Sequence, residues 1–180
     1  MSSERNLNEI LTEINGDIQA GLSYGANSEF HALGQIFPRG EKSRPIKNIN
    51  HTEGSVISLQ DVKNFVLYHR IDSDDILSDA SLGKGNKPYR QRQYSMVMIG
   101  FGEAKNMSLE ENREHSNEVA MDVIKLVPTV TDSNEIIEFG SINTDKVDIL
   151  NTEFEGYDLN RSLIDYVIFT VEYTITLNVC

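Results

Sequence analysis

The chain has 180 residues, a net charge of −12 and one cysteine, Cys180. This length is typical of a single domain and allows roughly 70% of the unfolded surface to be buried. A lone cysteine excludes an intramolecular disulfide and makes a cysteine-based metal site implausible. No apolar run approaches the ~18 residues of a membrane span, and the first residues lack the pattern of a secretory signal, so we expect neither.

The negative charge is concentrated in the second half of the chain. Residues 1–90 carry 10 cations and 12 anions, whereas residues 91–180 carry 6 cations and 16 anions. Binding to the DNA backbone requires clustered cations, so this balance disfavours DNA binding by the protein as a whole. A strongly acidic surface favours contact with a basic partner instead.

The first predicted element is a helix, because apolar residues recur at helical spacing between Leu7 and Ile18. We expect Ser2 or Ser3 to cap it and Gly21 to end it. Residues 23–55 show no clear periodicity and are expected to form a long arm with at most short elements. Four cations form a basic patch in this arm: Arg39, Lys42, Arg44 and Lys47.

Two strands are predicted next, separated by a long excursion. Val62–Ile71 is rich in β-branched and aromatic residues, which favours a strand. Residues 72–92 are first acidic and then basic, and we interpret them as an excursion. In the second strand, Gln93–Gly102, alternation predicts two partly buried faces. One face holds Tyr94, Met96 and Met98, and the other holds Val97, Ile99 and Phe101.

A second helix is predicted over residues 108–127. Ser108 and Glu111 fit the capping-box pattern S-x-x-E, in which two side chains satisfy backbone amides at the start of a helix. Pro128 is expected to end this helix, because proline cannot continue it.

The remaining elements are expected to be strands. Residues 136–142 and 146–150 are interpreted as two short strands, and the alternating segment Tyr166–Val179 as a long one. The chain is therefore predicted to be one α+β domain spanning residues 1–180. We expect a mainly antiparallel or mixed sheet with two main helices packed on one side, and with the arm and the excursion as loop insertions.

No residue pattern predicts catalysis or a bound cofactor. The histidines form no H-E-x-x-H motif; His115 is expected on a solvated helix face and His69 as a packed or interface residue of a strand. The segment Asp72–Asp75 fails the calcium-loop pattern and is interpreted as a solvated acidic loop. Gly83-Lys84-Gly85 lacks the rest of a phosphate-binding loop. We therefore expect a protein that is not an enzyme and needs no metal or cofactor.

A second basic cluster follows these glycines. It consists of Lys84, Lys87, Arg90 and Arg92, and no acidic residue lies between Leu82 and Gly102. Two interpretations remain open. The cluster is either a solvated loop or a contact with an acidic surface, for which the carboxyl half of a neighbouring copy is complementary.

This order of elements resembles the small tail-terminator, tail-completion and head–tail joining proteins of tailed bacteriophages. The features that carry the resemblance are the helix Leu7–Ile18, the strand Gln93–Gly102, the helix Ser108–Val127 and the closing strand YVIFTVEYTITLNVC. The resemblance implies a virion protein without a catalytic site. Such a protein would form a homo-oligomeric ring, a hexamer or a dodecamer, that contacts other neck or tail proteins around the DNA channel.

In such a ring, the basic cluster would face either a neighbouring subunit or DNA in the lumen, and the patch in the arm would contact a neighbouring subunit or an adjacent ring. The main alternative is a small interaction or adaptor domain unrelated to phages. An enzyme whose site is not visible as a motif is the third interpretation.

Overall fold

The fold is organised around a long β-sheet. The computed structural model describes residues 6–32, 34–36, 45–48, 56–58, 65–80, 89–131, 135–154 and 162–179. In chain order the elements are α1 (Leu7–Gly21), β1 (Glu29–His31), β2 (Gly34–Ile36), β3 (Pro45–Asn48), β4 (Val56–Ser58), β5 (Phe65–Ala80), β6 (Tyr89–Glu103), α2 (Ser116–Leu126), β7 (Ile136–Asn143), α3 (Lys146–Thr152) and β8 (Tyr166–Val179).

The main sheet has five strands in the order β1-β5-β6-β8-β7. The strand β1 is parallel to β5, and all other neighbours are antiparallel. A separate antiparallel sheet has the order β2-β3-β4. The mixed sheet and the three helices confirm the predicted α+β class. The predicted terminal strand is also confirmed, because β8 spans Tyr166–Val179.

Both faces of the main sheet are covered by helices over part of their length. Alternate residues of β8 supply the two cores: Phe169 packs with residues of α1 and α2, whereas Ile168 packs with residues of α3. Neither side chain is exposed to solvent. The two predicted faces of β6 are confirmed, since Met96 and Met98 belong to the first core and Val97 and Ile99 to the second.

The capping residue of α1 is Asn6. Its side-chain oxygen accepts a hydrogen bond from the Glu9 amide (3.0 Å), and the Glu9 carboxylate accepts one from the Asn6 amide (3.0 Å). This reciprocal pair is a capping box. The cap was expected at Ser2 or Ser3, which lie outside the described residues. The predicted end at Gly21 is confirmed.

The start predicted for the second helix is wrong. Ser108 has a φ of 59°, a left-handed conformation that an N-cap residue does not adopt, and α2 begins at Ser116. The Glu114 carboxylate accepts a hydrogen bond from the Ser116 amide (2.7 Å), and the Ser116 hydroxyl accepts one from the Ile168 amide (3.1 Å). The second contact joins the helix start to β8, 52 residues away, and a capping pattern read locally cannot predict it.

The short strand predicted over residues 146–150 is instead the helix α3. Asp145 caps it by accepting hydrogen bonds from the amides of Val147 (3.0 Å) and Asp148 (3.1 Å). Its buried residues are Lys146, Ile149 and Leu150, which have helical spacing. This helix covers the face of the sheet opposite α1 and α2.

The excursion predicted over residues 72–92 is largely strand. The strand β5 continues to Ala80 and β6 begins at Tyr89, so most of the segment belongs to a long antiparallel hairpin. Two bulges interrupt the hairpin, between Ile71 and Ser73 and between Ile76 and Ser78. Residues 81–88 lie outside the described part of the chain. The acidic segment Asp72–Asp75 is therefore a strand and not a loop.

Candidate assembly surface

The distal part of the β5–β6 hairpin continues beyond the paired segment of β1 and β5, which ends at Tyr68. We call residues 70–80 of β5, 89–94 of β6 and 175–179 of β8 the ribbon, because these three strands continue side by side. On its outer strand, Ile76 is 71% exposed and Ile71 is 40% exposed. Exposed β-branched residues at the end of a sheet suit a surface that another protein covers.

Arg92 is the centre of a cross-strand cluster on the ribbon. Its guanidinium forms two hydrogen bonds with the Asp74 carboxylate, one of them from Nε at 2.7 Å. The same group lies 5.0 Å from the centroid of the Tyr94 ring, within the range of a cation–π contact. The hydrogen bonds from Arg92 lower the pKa of Asp74, so this carboxyl stays ionised. Arg92 is thus held by its own chain.

The other predicted contact residues are placed as follows. Arg90 lies in β6 opposite Asp79 of β5, and Lys47 lies in β3. The remaining cations of the two basic segments are outside the described residues: Lys84, Lys87, Arg39, Lys42 and Arg44. The structure therefore brings Arg90 and Arg92 together on one strand, next to acidic residues of the neighbouring strand.

A polar groove crosses the sheet beside the ribbon. It has a volume of about 480 Å³ and is lined by residues of four strands, including Ser95 of β6 and Thr174 of β8. These two residues are paired in the β6–β8 ladder, and Thr174 is also paired with Glu138 of β7. The groove lies on the face that α3 covers further along the strands, because these side chains alternate with those of the first core.

Three carboxylates border the groove: Asp72, Glu138 and Glu172. Asp72 is ion-paired with Arg70, which also donates a hydrogen bond to Glu153 (2.8 Å). The Glu172 carboxylate accepts a hydrogen bond from the Ser141 hydroxyl (2.6 Å). These carboxylates, with the polar floor of the groove, suit a cationic group better than an anionic or apolar one.

A buried chain of hydrogen bonds connects the sheet to α1. His69 Nε2 lies 2.8 Å from the Asn15 side-chain oxygen, and Nδ1 lies 2.7 Å from the Tyr173 hydroxyl. Because an amide oxygen only accepts, Nε2 carries the proton, and Nδ1 accepts the hydrogen bond from Tyr173. Burial lowers the pKa of His69 to about 3 and raises that of Tyr173 well above its ordinary value. The imidazole is therefore neutral at ordinary pH.

No protein-family model and no curated protein sequence matches this chain. Within the described ranges, no group of three or more histidine, cysteine, aspartate or glutamate side chains is arranged to hold a metal ion. Among the described helices, none is long and apolar enough to cross a membrane.

His115 is not the solvated surface residue that the sequence predicts. Its side chain is only 4% exposed, and Nε2 lies 2.9 Å from the carbonyl oxygen of Glu110. The next contact in this region joins Glu114 to Lys146 of α3 (2.5 Å). Partial burial by itself would raise the pKa of Glu114, but hydrogen bonds from Lys146 and Ser116 lower it overall. This cluster links the start of α2 to the start of α3.

The groove and the buried hydrogen-bond chain were both missed by sequence reasoning. Asn15 stands within the apolar stripe of α1, and Glu172 interrupts the apolar strand β8. For Asn15 the available signal is a polar residue on an otherwise apolar face, and for Glu172 it is a single carboxylate within a mostly apolar strand. Their partners are 54 or more residues away in the His69 network and 31 away for Ser141 and Glu172, so local patterns could not identify them.

Proposed function

We propose that the protein is a structural component of a tailed-phage virion that forms a homo-oligomeric ring at the head–tail junction or at the end of the tail. The observation that carries this proposal is the ribbon. Its outer strand is exposed at Ile71 and Ile76, yet it continues well beyond the contact of β5 with β1. One face of the ribbon is buried at Tyr94 and Ile175, so the exposed apolar residues of the outer strand are what a partner would cover.

Three of the four features that carry the resemblance to phage neck and tail proteins are compatible with this role: α1, β6 and β8 supply much of the first core. The fourth, the helix expected over residues 108–127, is shorter than the resemblance implies, because α2 begins at Ser116. A ring protein needs a rigid core that presents interaction surfaces in a fixed geometry, and the ribbon and the groove are held by this core.

The proposed ring is tested by measuring the mass of the purified full chain by size-exclusion chromatography with light scattering, followed by negative-stain microscopy. We expect six or more copies in a closed ring with a central opening that admits duplex DNA. A monomer at every concentration up to the millimolar range would contradict the proposal. Joining of heads to tails, with DNA retained, tests the phage role itself.

A second candidate function, a small interaction or adaptor domain, is favoured by the groove. A groove bordered by Asp72, Glu138 and Glu172 suits a basic peptide of a different protein. The two functions differ in stoichiometry, because an adaptor domain binds its partner as a monomer or a small oligomer. A monomer that binds a basic peptide, and loses this binding when Glu138 and Glu172 are replaced by Gln, would favour the adaptor function over the ring.

A further inference from the structure

The groove beside the ribbon contains two carboxylates that no cation of the described part of the chain neutralises. Asp72 lines the groove as well, but it is ion-paired with Arg70. The Glu172 carboxylate accepts only a hydrogen bond from the neutral Ser141 hydroxyl (2.6 Å), and Glu138 forms no ion pair with any described residue. Two negative charges of the groove are therefore left for a cationic partner.

These two carboxylates belong to neighbouring strands of one sheet face. Glu138 of β7 is paired with Thr174 of β8, and Glu172 precedes Thr174 by two residues on the same face of β8. Diagonal neighbours of this kind across an antiparallel pair are roughly 7–8 Å apart. The two like charges are therefore close enough to repel each other, and a partner with two cations would remove this repulsion.

The end of the β5–β6 hairpin supplies a segment of matching charge. Residues 81–88, with the sequence SLGKGNKP, lie outside the described residues and connect Ala80 of β5 to Tyr89 of β6. They contain Lys84 and Lys87 and no acidic residue. Their anchors form the last pair of the β5–β6 ladder, at the distal end of the ribbon. The segment thus brings two cations to the end of a projecting hairpin.

This segment cannot bring Lys87 into the groove of its own copy. Ser95, which lines the groove, is six residues along β6 from Tyr89, a separation of about 20 Å at ~3.4 Å per residue. Lys87 is two residues from Tyr89, so its backbone lies at most ~7 Å from this anchor. The remaining distance of about 13 Å exceeds the length of an extended lysine side chain. A second copy must therefore supply the groove.

We propose that residues 81–88 of one copy dock in the groove of a second copy, where Lys84 and Lys87 pair with Glu138 and Glu172. This inference rests on the proposed homo-oligomer and identifies one of its contacts. The contact joins two different surfaces and is therefore heterologous. Repetition of such a contact closes a ring when the rotation between copies permits.

The ion pairs give this contact its specificity. Exposed ion pairs contribute little to affinity, whereas like charges brought together at an interface suppress the wrong partner. The affinity then comes from the rest of the interface between copies, including the exposed side chains of Ile71 and Ile76 on the ribbon. Reversing the charges is consequently a sharper test than removing them.

Charge reversal in the full chain tests this contact. The groove variant is Glu138→Lys, Glu172→Lys, and the hairpin variant is Lys84→Glu, Lys87→Glu. Each variant alone should remain unassembled, by light scattering, at protein concentrations at which the wild type forms rings. The chain with all four substitutions should form rings again, because opposite charges face each other once more. An equimolar mixture of the two variants should also assemble, since every contact between alternating copies then joins opposite charges.

The matched control is Asp17→Lys, Glu111→Lys, which changes the net charge by the same amount as the groove variant, at exposed positions outside the groove. Loss of rings from this control would overturn the proposed contact, because net charge alone would then explain the effect. Failure of the four-substitution chain to form rings would also overturn it. Circular dichroism melting confirms that each variant is folded, as expected since Glu138 and Glu172 are exposed.

Failure of this contact is distinguishable from failure of the ring. Normal rings from the groove variant would overturn the contact and leave the ring proposal standing. Binding of a synthetic lysine-rich peptide to the wild-type groove would then assign the groove to a basic segment of a different protein. A wild-type protein that is a monomer at every concentration contradicts both the ring and the contact.

Discussion

The Tyr173 hydroxyl lies 2.7 Å from Nδ1 of His69, and both groups are buried between β8, β5 and α1. Their rings are in edge contact, with centroids 5.8 Å apart. The other ring nitrogen is hydrogen-bonded to Asn15, so this chain of hydrogen bonds holds α1 against β5 and β8. A polar network that is fully satisfied in this way specifies one arrangement of a core that apolar contacts alone would leave less defined.

Removing the Tyr173 hydroxyl should destabilise the protein. Tyr173→Phe leaves Nδ1 of His69 buried without a donor, and an unsatisfied buried group costs about 1–3 kcal/mol. The measurement is the free energy of unfolding from urea denaturation. The matched control is Tyr68→Phe, because the buried Tyr68 hydroxyl has no hydrogen-bond partner among the described residues. That change should be neutral or slightly stabilising, and equal effects of the two variants would contradict the network.

The stability should decrease as the pH falls from about 6.5 to 3. The pKa of His69 is about 3 in the folded protein and 6.5 in the unfolded chain, so the unfolded chain binds more protons in this window. Stability supplied by a depressed pKa is present above the unfolded value and lost on acidification. His69→Gln retains a donor and an acceptor but does not titrate. The free energy of unfolding should therefore fall less steeply with decreasing pH in the variant than in the wild type. Identical pH slopes would count against a neutral buried His69.

Truncation of Phe169 should cost about 3–5 kcal/mol, as is typical for a buried phenylalanine. Its ring is stacked on Phe65, with centroids 6.1 Å apart, and has no exposed surface. Phe169→Ala is compared by thermal and urea denaturation with Thr174→Ala, a half-buried position of the same strand. A loss below 1 kcal/mol for Phe169→Ala would mean that β8 does not form the centre of the core.

Replacing Gly16 or Gly100 with alanine should change the stability of the protein in opposite directions. Gly16 lies in α1 with no atom within 4 Å of an added Cβ, so Gly16→Ala should stabilise the protein by about 0.5–1 kcal/mol. At Gly100 of β6 an added Cβ would lie 2.4 Å from the Phe169 ring, and Gly100→Ala should cost about 1–3 kcal/mol. Melting temperatures of the two variants measure both effects, and a stabilising Gly100→Ala would refute the packing of β6 on β8.

The basic cluster should contribute to assembly if it contacts carboxylates of a neighbouring subunit. Replacing Lys84, Lys87, Arg90 and Arg92 with Ser should then disrupt rings, and rising salt should weaken wild-type assembly because exposed charges are screened. If the cations face DNA, empty rings should form normally. Arg92→Ser alone is the control for loss of the contact with Asp74. Normal rings that still join heads to tails with DNA retained would contradict both roles.

Several features of this protein follow from the sequence by itself. The alternation in β8 and β6 and the apolar stripe of α1 predict elements whose side chains are buried as expected, because period and hydrophobicity are local properties of the chain. The structure shows that Lys146 begins a helix and that Ser108 does not. The cap of α3 is local, at Asp145, and was overlooked in the sequence, whereas the start of α2 involves a distant partner, Ile168 for the Ser116 hydroxyl.

The candidate surfaces were decided by tertiary structure. The sequence predicted Arg92 in an excursion, as part of either a solvated loop or a contact with an acidic surface, but the pairing of β6 with β5 places it against Asp74, 18 residues away. Asp72–Asp75 was likewise interpreted as a solvated acidic loop, whereas strand pairing makes it part of β5. Which strands end a sheet, and which carboxylates border a groove, is set by long-range register. A local sequence pattern carries no information on that register, because it depends on which distant segments pair.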